Sequence, residues 1–137
     1  MNINNKMTLY FDGASRGNPG KSSYGCILFD DDQREIAKKN EYLGIETNNY
    51  AEYMGLLNGV QCAINNNILT LDVFGDSLLV ISQLKGTYKV KNKKLKIIYD
   101  KIKDLEKQFI YITYNHIYRN KNKIADALAN EILDNMN

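Results

Sequence analysis

The sequence predicts an α/β domain in which helices pack on both faces of a mixed β-sheet. Two observations lead to this fold class. Strand-like runs of apolar residues fill the first third of the chain, whereas apolar positions recur every three or four residues from Asn49 onward. The resulting element order, βββαβααβα, begins with an antiparallel meander and is therefore not that of an all-parallel, doubly wound sheet.

The first three strands are bounded by turn-forming residues. Met7–Asp12 is a strand-like run that we expect to be closed by the turn-rich stretch Gly13–Gly20. Two further strand-like runs, Ser23–Asp30 and Glu35–Leu43, flank an acidic turn, so the three strands form an antiparallel meander. The polar residues 1–6 are expected to form a loose leader.

The remaining elements alternate between helices and short strands. Helix-forming stretches are expected from Asn49 to the Asn-rich residues 65–67, from Asp76 to Gly86, and around apolar stripes at three- and four-residue steps. The stripe of the third helix consists of Leu95, Ile98, Ile102, Leu105 and Phe109, and that of the last helix includes Ile124, Leu128 and Ile132. Thr70–Phe74 and Phe109–Tyr114 are the remaining strands.

Length and composition favour one globular domain over residues 1–137. The chain is 44% hydrophobic and 25% charged, and it contains no internal repeat or low-complexity linker. No apolar run approaches the roughly 18 residues that a membrane span needs, and no secretion signal is visible. Cys26 and Cys62 lie singly in apolar segments, as buried reduced thiols do, so we expect a cytoplasmic protein. We expect no membrane partner and no obligate protein partner.

Positive charge is concentrated in one segment. Lys85–Lys107 contains nine lysines and three acidic residues, for a net charge of +6, whereas the whole chain carries only +2. Two interpretations are open: a solvated outer face of a helix, or a surface that contacts phosphates.

Four acidic residues lie at the ends of apolar elements, where an unpaired carboxylate is costly. Each has a purely structural alternative. Asp12 could anchor the following turn, Glu52 could form a capping box with Asn49 as N-cap, Asp76 could cap the next helix, and Asp126 suits the positive end of its own helix. If one sheet edge gathers all four, their mutual repulsion favours binding of a hard divalent cation such as Mg²⁺ or Mn²⁺.

Four segments around these carboxylates carry a family resemblance: Asp12–Gly20, Thr47–Glu52, Gly75–Ser77 and Asn122–Asn130. In this order they resemble the successive motifs of type 1 ribonuclease H, from its compact bacterial and archaeal branch. The resemblance implies a five-stranded mixed sheet in the order 3-2-1-4-5. It also implies a Mg²⁺-dependent endonuclease that hydrolyses the RNA strand of RNA–DNA hybrids.

The resemblance also implies which residues act. Two Mg²⁺ ions, with Mn²⁺ as an alternative, would be held by the catalytic carboxylates Asp12, Glu52, Asp76 and Asp126, and cleavage would leave 5′-phosphate and 3′-hydroxyl ends. The residues implied to bind the hybrid are Gly13, Ala14, Ser15, Arg16, Asn18, Asn48, Asn49 and Ser77. Short amides and glycine backbone suit a minor groove that exposes 2′-hydroxyls, although Asn48 and Asn49 could equally cap a helix. The basic segment would then contact phosphates of the DNA strand.

Some positions depart from the family pattern. Leu78 stands where the family often has a polar residue, which argues against that substrate contact. His116 occupies the position of a histidine that assists proton transfer or product release, but Ile117 and Tyr118 replace the small residues that usually follow it. Arg119 is the competing candidate for that role.

Two other functions stay open at this point. The chain could be a nucleic-acid-binding module with weak or no catalysis, or a related metal-dependent nuclease that acts on another nucleic acid.

Overall fold

A computed structural model describes residues 6–136, which form a five-stranded sheet and four α-helices. The elements in chain order are β1 (Met7–Gly17), β2 (Gly20–Phe29), β3 (Glu35–Glu46), α1 (Asn48–Asn65), β4 (Thr70–Gly75), α2 (Leu78–Lys85), α3 (Lys93–Glu106), β5 (Tyr111–His116), a short 3₁₀ turn (Arg119–Lys121) and α4 (Lys123–Asp134). Of the predicted leader, residues 1–5 lie outside the described residues.

The sheet has the strand order β3-β2-β1-β4-β5. β1, β2 and β3 pair antiparallel, whereas β4 runs parallel to both β1 and β5. The predicted mixed α/β class and the strand order implied by the resemblance are therefore confirmed.

The first strand is longer than predicted. Residues of the expected turn Gly13–Gly20 continue the ladder, because Gly13 pairs with Tyr24 and the pairing runs on to Gly17 opposite Gly20. Only two residues, Asn18 and Pro19, connect the strands. Small and flexible residues suggested a loop here, but their backbone groups pair with β2 as those of any strand do.

Two helix caps that the sequence allowed as structural alternatives are not formed. Thr47 caps α1, since its hydroxyl accepts a hydrogen bond from the Tyr50 N–H, so Asn49 and Glu52 do not form a capping box. Ser77, and not Asp76, caps α2 by accepting from the Val80 N–H. Neither Glu52 nor Asp76 therefore caps a helix.

The helices cover opposite faces of the meander. α1 and α4 both contact β1, β2 and β3, and adjacent residues of β2 show the two sides. Tyr24 faces Gly55 of α1, whereas a Cβ at Gly25 would lie 2.6 Å from Leu128 of α4. The main core lies between the sheet and α1, α2 and α3, and its fully buried residues include Leu9, Phe11, Tyr24, Tyr53, Leu56, Val60, Val73 and Ile102.

Within residues 6–136, none of the helices combines the length and the apolar character that crossing a membrane would require.

Candidate metal-binding active site

Four elements bring one carboxylate each to a single cavity. Asp12 from β1, Glu52 from α1, Asp76 after β4 and Asp126 from α4 all line a cavity of about 380 Å³. Carboxylate oxygens of the first three lie within 4.8 Å of one another. The sheet brings two of them together, because Tyr10 and Phe74 are paired on adjacent parallel strands. Asp12 follows Tyr10 by two residues, and Asp76 follows Phe74 by two residues.

Glycine at position 13 allows Glu52 to reach the sheet. A Cβ at Gly13 would lie 2.3 Å from the Glu52 backbone nitrogen, so any larger residue would push α1 away from β1. The Gly13 N–H donates to Glu52 Oε1 at 3.0 Å and to Asp12 Oδ1 at 2.9 Å. This close approach of helix to strand places the two carboxylates side by side.

Two of the four carboxylates are almost fully buried. Asp12 is 4% exposed and Glu52 is 2% exposed. Burial raises the pKa of Asp12 to about 7. The negative charges of Asp76 and Asp126 also raise this pKa, whereas the hydrogen bond with Glu52 lowers it. Burial, followed by the charge of Asp12, raises the pKa of Glu52 well above its usual value.

One oxygen of this pair has no hydrogen-bond partner among residues 6–136. Glu52 Oε2 is buried and makes no hydrogen bond. A buried carboxylate oxygen without a donor is unfavourable unless a cation or a proton compensates it. The donor set, which consists only of carboxylate oxygens, fits a hard divalent cation.

Two asparagines that the sequence analysis assigned no role orient the more exposed carboxylates. Asn122 Nδ2 donates to Asp76 Oδ2 at 3.0 Å, and Asn130 Nδ2 donates to Asp126 Oδ1 at 3.1 Å. The four-residue spacing between Asp126 and Asn130 on a helix could have indicated the second bond. No local pattern indicated the first, because it joins residues 46 positions apart.

Most residues implied to bind the hybrid lie at this cavity. Its lining includes Gly13, Ala14, Ser15, Arg16 and Asn48. Arg16 also donates to Asn130 at 3.0 Å and forms an ion pair with Asp134 at 2.7 Å, so its side chain ties β1 to α4.

The other three implied hybrid-binding residues lie outside the lining. Asn18 is next to it and accepts from the Asn48 N–H at 3.1 Å. Asn49 lies in the first turn of α1, and Ser77 caps α2.

Arg119 and His116, the two candidates for assisting proton transfer or product release, occupy different places. Arg119 lines the cavity, with Nη2 3.8 Å from Asp126 Oδ1, and its side chain is 80% exposed. His116 ends β5 and contacts the ring of Tyr118, with ring centroids 5.9 Å apart, and it is not part of the lining.

The basic segment forms the loop after α2 and the outer face of α3. Lys94 is engaged by Glu46 at 2.7 Å and lies over the Tyr50 ring. Seven other lysines of this segment are exposed: Lys85, Lys89, Lys91, Lys93, Lys96, Lys101 and Lys107.

Comparison with known proteins identifies the family. Residues 10–132 match the model of the reverse transcriptase-like family. Ribonuclease HI from Halobacterium salinarum is 38% identical over 91% of this chain. The N-terminal RNase H domain of the Mycobacterium tuberculosis protein Rv2228c is 38% identical, with a TM-score of 0.92 and 94% of each chain covered.

Another similar structure contains nucleic acid. LC11-RNase H1, solved in complex with an RNA/DNA hybrid, is 33% identical with a TM-score of 0.87, over 93% of this chain and 96% of that chain. The match spans 36% of the length of the whole mycobacterial protein and 63% of the length of the Halobacterium enzyme. Because the family model covers residues 10–132 and the two RNase H structures are 33% and 38% identical over nearly their whole length, the chain belongs to the reverse transcriptase-like family and, within it, to the type 1 ribonuclease H group.

Proposed function

We propose that this chain is an endonuclease that hydrolyses the RNA strand of RNA–DNA hybrids with the help of divalent cations. The observation that carries the proposal is the convergence of four carboxylates on one cavity, with a buried Glu52 oxygen that has no hydrogen-bond partner in the described part of the chain. The RNA/DNA hybrid bound by the similar LC11-RNase H1 supports this choice of substrate.

The cations that suit the site are Mg²⁺ or Mn²⁺, in a pair held by Asp12, Glu52, Asp76 and Asp126. When bound, such a pair polarises the scissile phosphate and lowers the pKa of the attacking water. Asp12 and Glu52 are fixed by the Gly13 N–H, and the amides of Asn122 and Asn130 hold Asp76 and Asp126. The chain thus supplies preoriented carboxylate oxygens to the cavity.

The residues around the carboxylates would hold the hybrid. The backbone of Gly13–Arg16 and the Asn48 side chain line the cavity and suit the minor groove with its 2′-hydroxyls. Arg119 stands beside Asp126 at the cavity, so we assign it, and not His116, the contact with the phosphate oxygens during cleavage. The lysines of the loop after α2 are exposed and would contact phosphates of the DNA strand.

Cleavage assays on a matched set of substrates test this proposal. The set consists of one sequence prepared as an RNA–DNA hybrid, as double-stranded DNA, as double-stranded RNA and as single-stranded RNA, each with Mg²⁺, Mn²⁺ or EDTA. We expect cleavage of the hybrid alone, in its RNA strand, with either cation but not with EDTA. The products should end in 5′-phosphate and 3′-hydroxyl.

Other outcomes distinguish the alternative functions. Binding of the hybrid without cleavage under any condition would favour a nucleic-acid-binding module. Cation-dependent cleavage of DNA in preference to the hybrid would favour a nuclease with a different substrate. Either result would contradict the proposal.

A further inference from the structure

Asn122 uses its side chain in a way that its place in the sequence does not suggest. It is the N-cap residue of α4, yet its side chain makes no capping hydrogen bond. The side chain is buried, with 1% of the residue exposed, and Nδ2 donates to the Phe11 carbonyl at 2.9 Å and to Asp76 Oδ2 at 3.0 Å. The Phe11 carbonyl can only accept, so the amide nitrogen, and not the oxygen, must face it.

This one residue connects three of the four carboxylates. The Phe11 carbonyl belongs to the peptide group that precedes Asp12. The Asn122 backbone carbonyl accepts the N–H of Asp126 at 3.1 Å. Asn122 therefore fixes β1, the end of β4 and the first turn of α4 relative to one another, at the point where each presents its carboxylate.

Fold stability alone does not account for this amide. Its Oδ1 is buried and has no hydrogen-bond partner among the residues that the structure describes, which is unfavourable for an amide oxygen. A capping asparagine would use that oxygen to accept an N–H of the helix. The residue thus leaves its acceptor unused and employs only its donor, which points at a site carboxylate.

We propose that Asn122 is a positioning residue for the divalent cations: it holds Asp76 at the spacing from Asp12 that cation binding requires. The inference rests on the proposed function of the cavity. Outer partners that hold ligand carboxylates affect metal affinity and activity by roughly 10–100-fold, so a loss of that size is expected when the amide is removed.

The test compares Asn122→Ala with a matched control, Asn115→Ala. Asn115 Nδ2 also donates two hydrogen bonds, to the Val73 carbonyl at 3.1 Å and to Thr113 Oγ1 at 3.0 Å, but it touches no site carboxylate. The dissociation constant for Mn²⁺ is measured by titration calorimetry, together with kcat on the hybrid and the Tm in EDTA. A third variant, Asn122→Ser, keeps a shorter donor.

We expect Asn122→Ala to weaken Mn²⁺ binding and to lower kcat by roughly 10–100-fold each, with Asn122→Ser between it and the wild type. Asn115→Ala should bind Mn²⁺ and cut the hybrid as the wild type does, even where its Tm falls. Should Asn122→Ala not fold, the Mn²⁺ affinity of Asn122→Ser relative to the wild type decides the question.

Two results would overturn the inference. One is unchanged Mn²⁺ affinity in the Asn122 variants, whatever their Tm. The other is an equal loss of affinity in Asn115→Ala, which would reduce the effect to general destabilisation. A wild-type protein that binds Mn²⁺ without cutting the hybrid contradicts the proposed function instead, and the Mn²⁺ affinities still decide the role of Asn122.

Discussion

Two groups of three acidic residues occur in the described part of the chain, and they differ in almost every respect except proximity. In the cavity, Asp12, Glu52 and Asp76 place oxygens within 4.8 Å of one another, and so do the consecutive residues Asp30–Asp32 of the β2–β3 hairpin. The first group comes from three elements and is largely buried. The second is a turn in which Asp31 and Asp32 are exposed.

The hairpin group needs no cation to compensate it. Asp30 Oδ1 accepts from the Asp32 N–H and the Arg34 N–H, each at 2.9 Å, and Asp31 and Asp32 are exposed to solvent. In the cavity, by contrast, burial raises the pKa of Asp12 to about 7 and leaves Glu52 Oε2 without a donor. Burial without internal compensation, and not clustering, distinguishes the candidate cation site.

The largest expected effect separates the two groups by activity. Asp12→Asn should lower hybrid cleavage by about 10³-fold, because metal-ion stabilisation of transition-state charge is worth several kcal/mol and each 1.36 kcal/mol is tenfold. Asp31→Asn should cut at the wild-type rate. Single-turnover cleavage of a labelled hybrid measures the rates of both variants. Equal rates would contradict the claim that the cavity group, and not the hairpin group, binds the cations.

The next effect concerns stabilisation by the cation. A cation at a concentration of 100 times its dissociation constant stabilises the folded state by about 2.7 kcal/mol. Mg²⁺ should therefore raise the Tm of the wild type and of Asp31→Asn. Asp12→Asn should lose most of this rise. Thermal unfolding in EDTA and in Mg²⁺ checks the prediction, and a rise that depends on Asp31 would contradict it.

In the absence of cations, the buried carboxylates should make stability depend on pH. The folded-state pKa of Asp12, about 7, lies above its ordinary value of 3.8, and that of Glu52 is raised as well. The folded state therefore binds more protons, and the free energy of unfolding in EDTA should fall as pH rises from about 4 through 7.

Glu52→Gln should reduce that fall, because the amide carries no charge. At pH 8 in EDTA we expect it to be more stable than the wild type by roughly 1–3 kcal/mol, the usual cost of an uncompensated buried group. Urea unfolding across this pH range, with Asp31→Asn as control, gives the comparison. A wild type whose stability increases from pH 5 to pH 8 in EDTA would be inconsistent with the burial described above.

The smallest effect concerns the two candidates for the assisting role. Arg119→Ala should lower kcat by roughly tenfold. A hydrogen bond to a charged group is worth about 1.5–3 kcal/mol, and the 80% exposure of the Arg119 side chain favours the lower end of that range. His116→Ala should change kcat by less than about twofold, because surface changes away from the site are usually small. The reverse ranking in steady-state kinetics would assign the role to His116.

The sequence predicted the elements and the carboxylates better than the contacts around them. Asp12 and Asp76 were identifiable because each follows a run of apolar residues, and the strand order brings such positions to one edge. The extension of β1 to Gly17 was missed because Gly13, Ala14 and Ser15 have the composition of a turn. The Asn122 contacts depend on how the segment before α4 approaches β1, which no local pattern encodes.

The most direct test of the central claim is an anomalous-scattering map from crystals soaked in Mn²⁺. We expect Mn²⁺ peaks within the cavity, in contact with oxygens of Asp12, Glu52, Asp76 and Asp126. Mn²⁺ found only at the Asp30–Asp32 hairpin, or no peak in the cavity at saturating Mn²⁺, would contradict it.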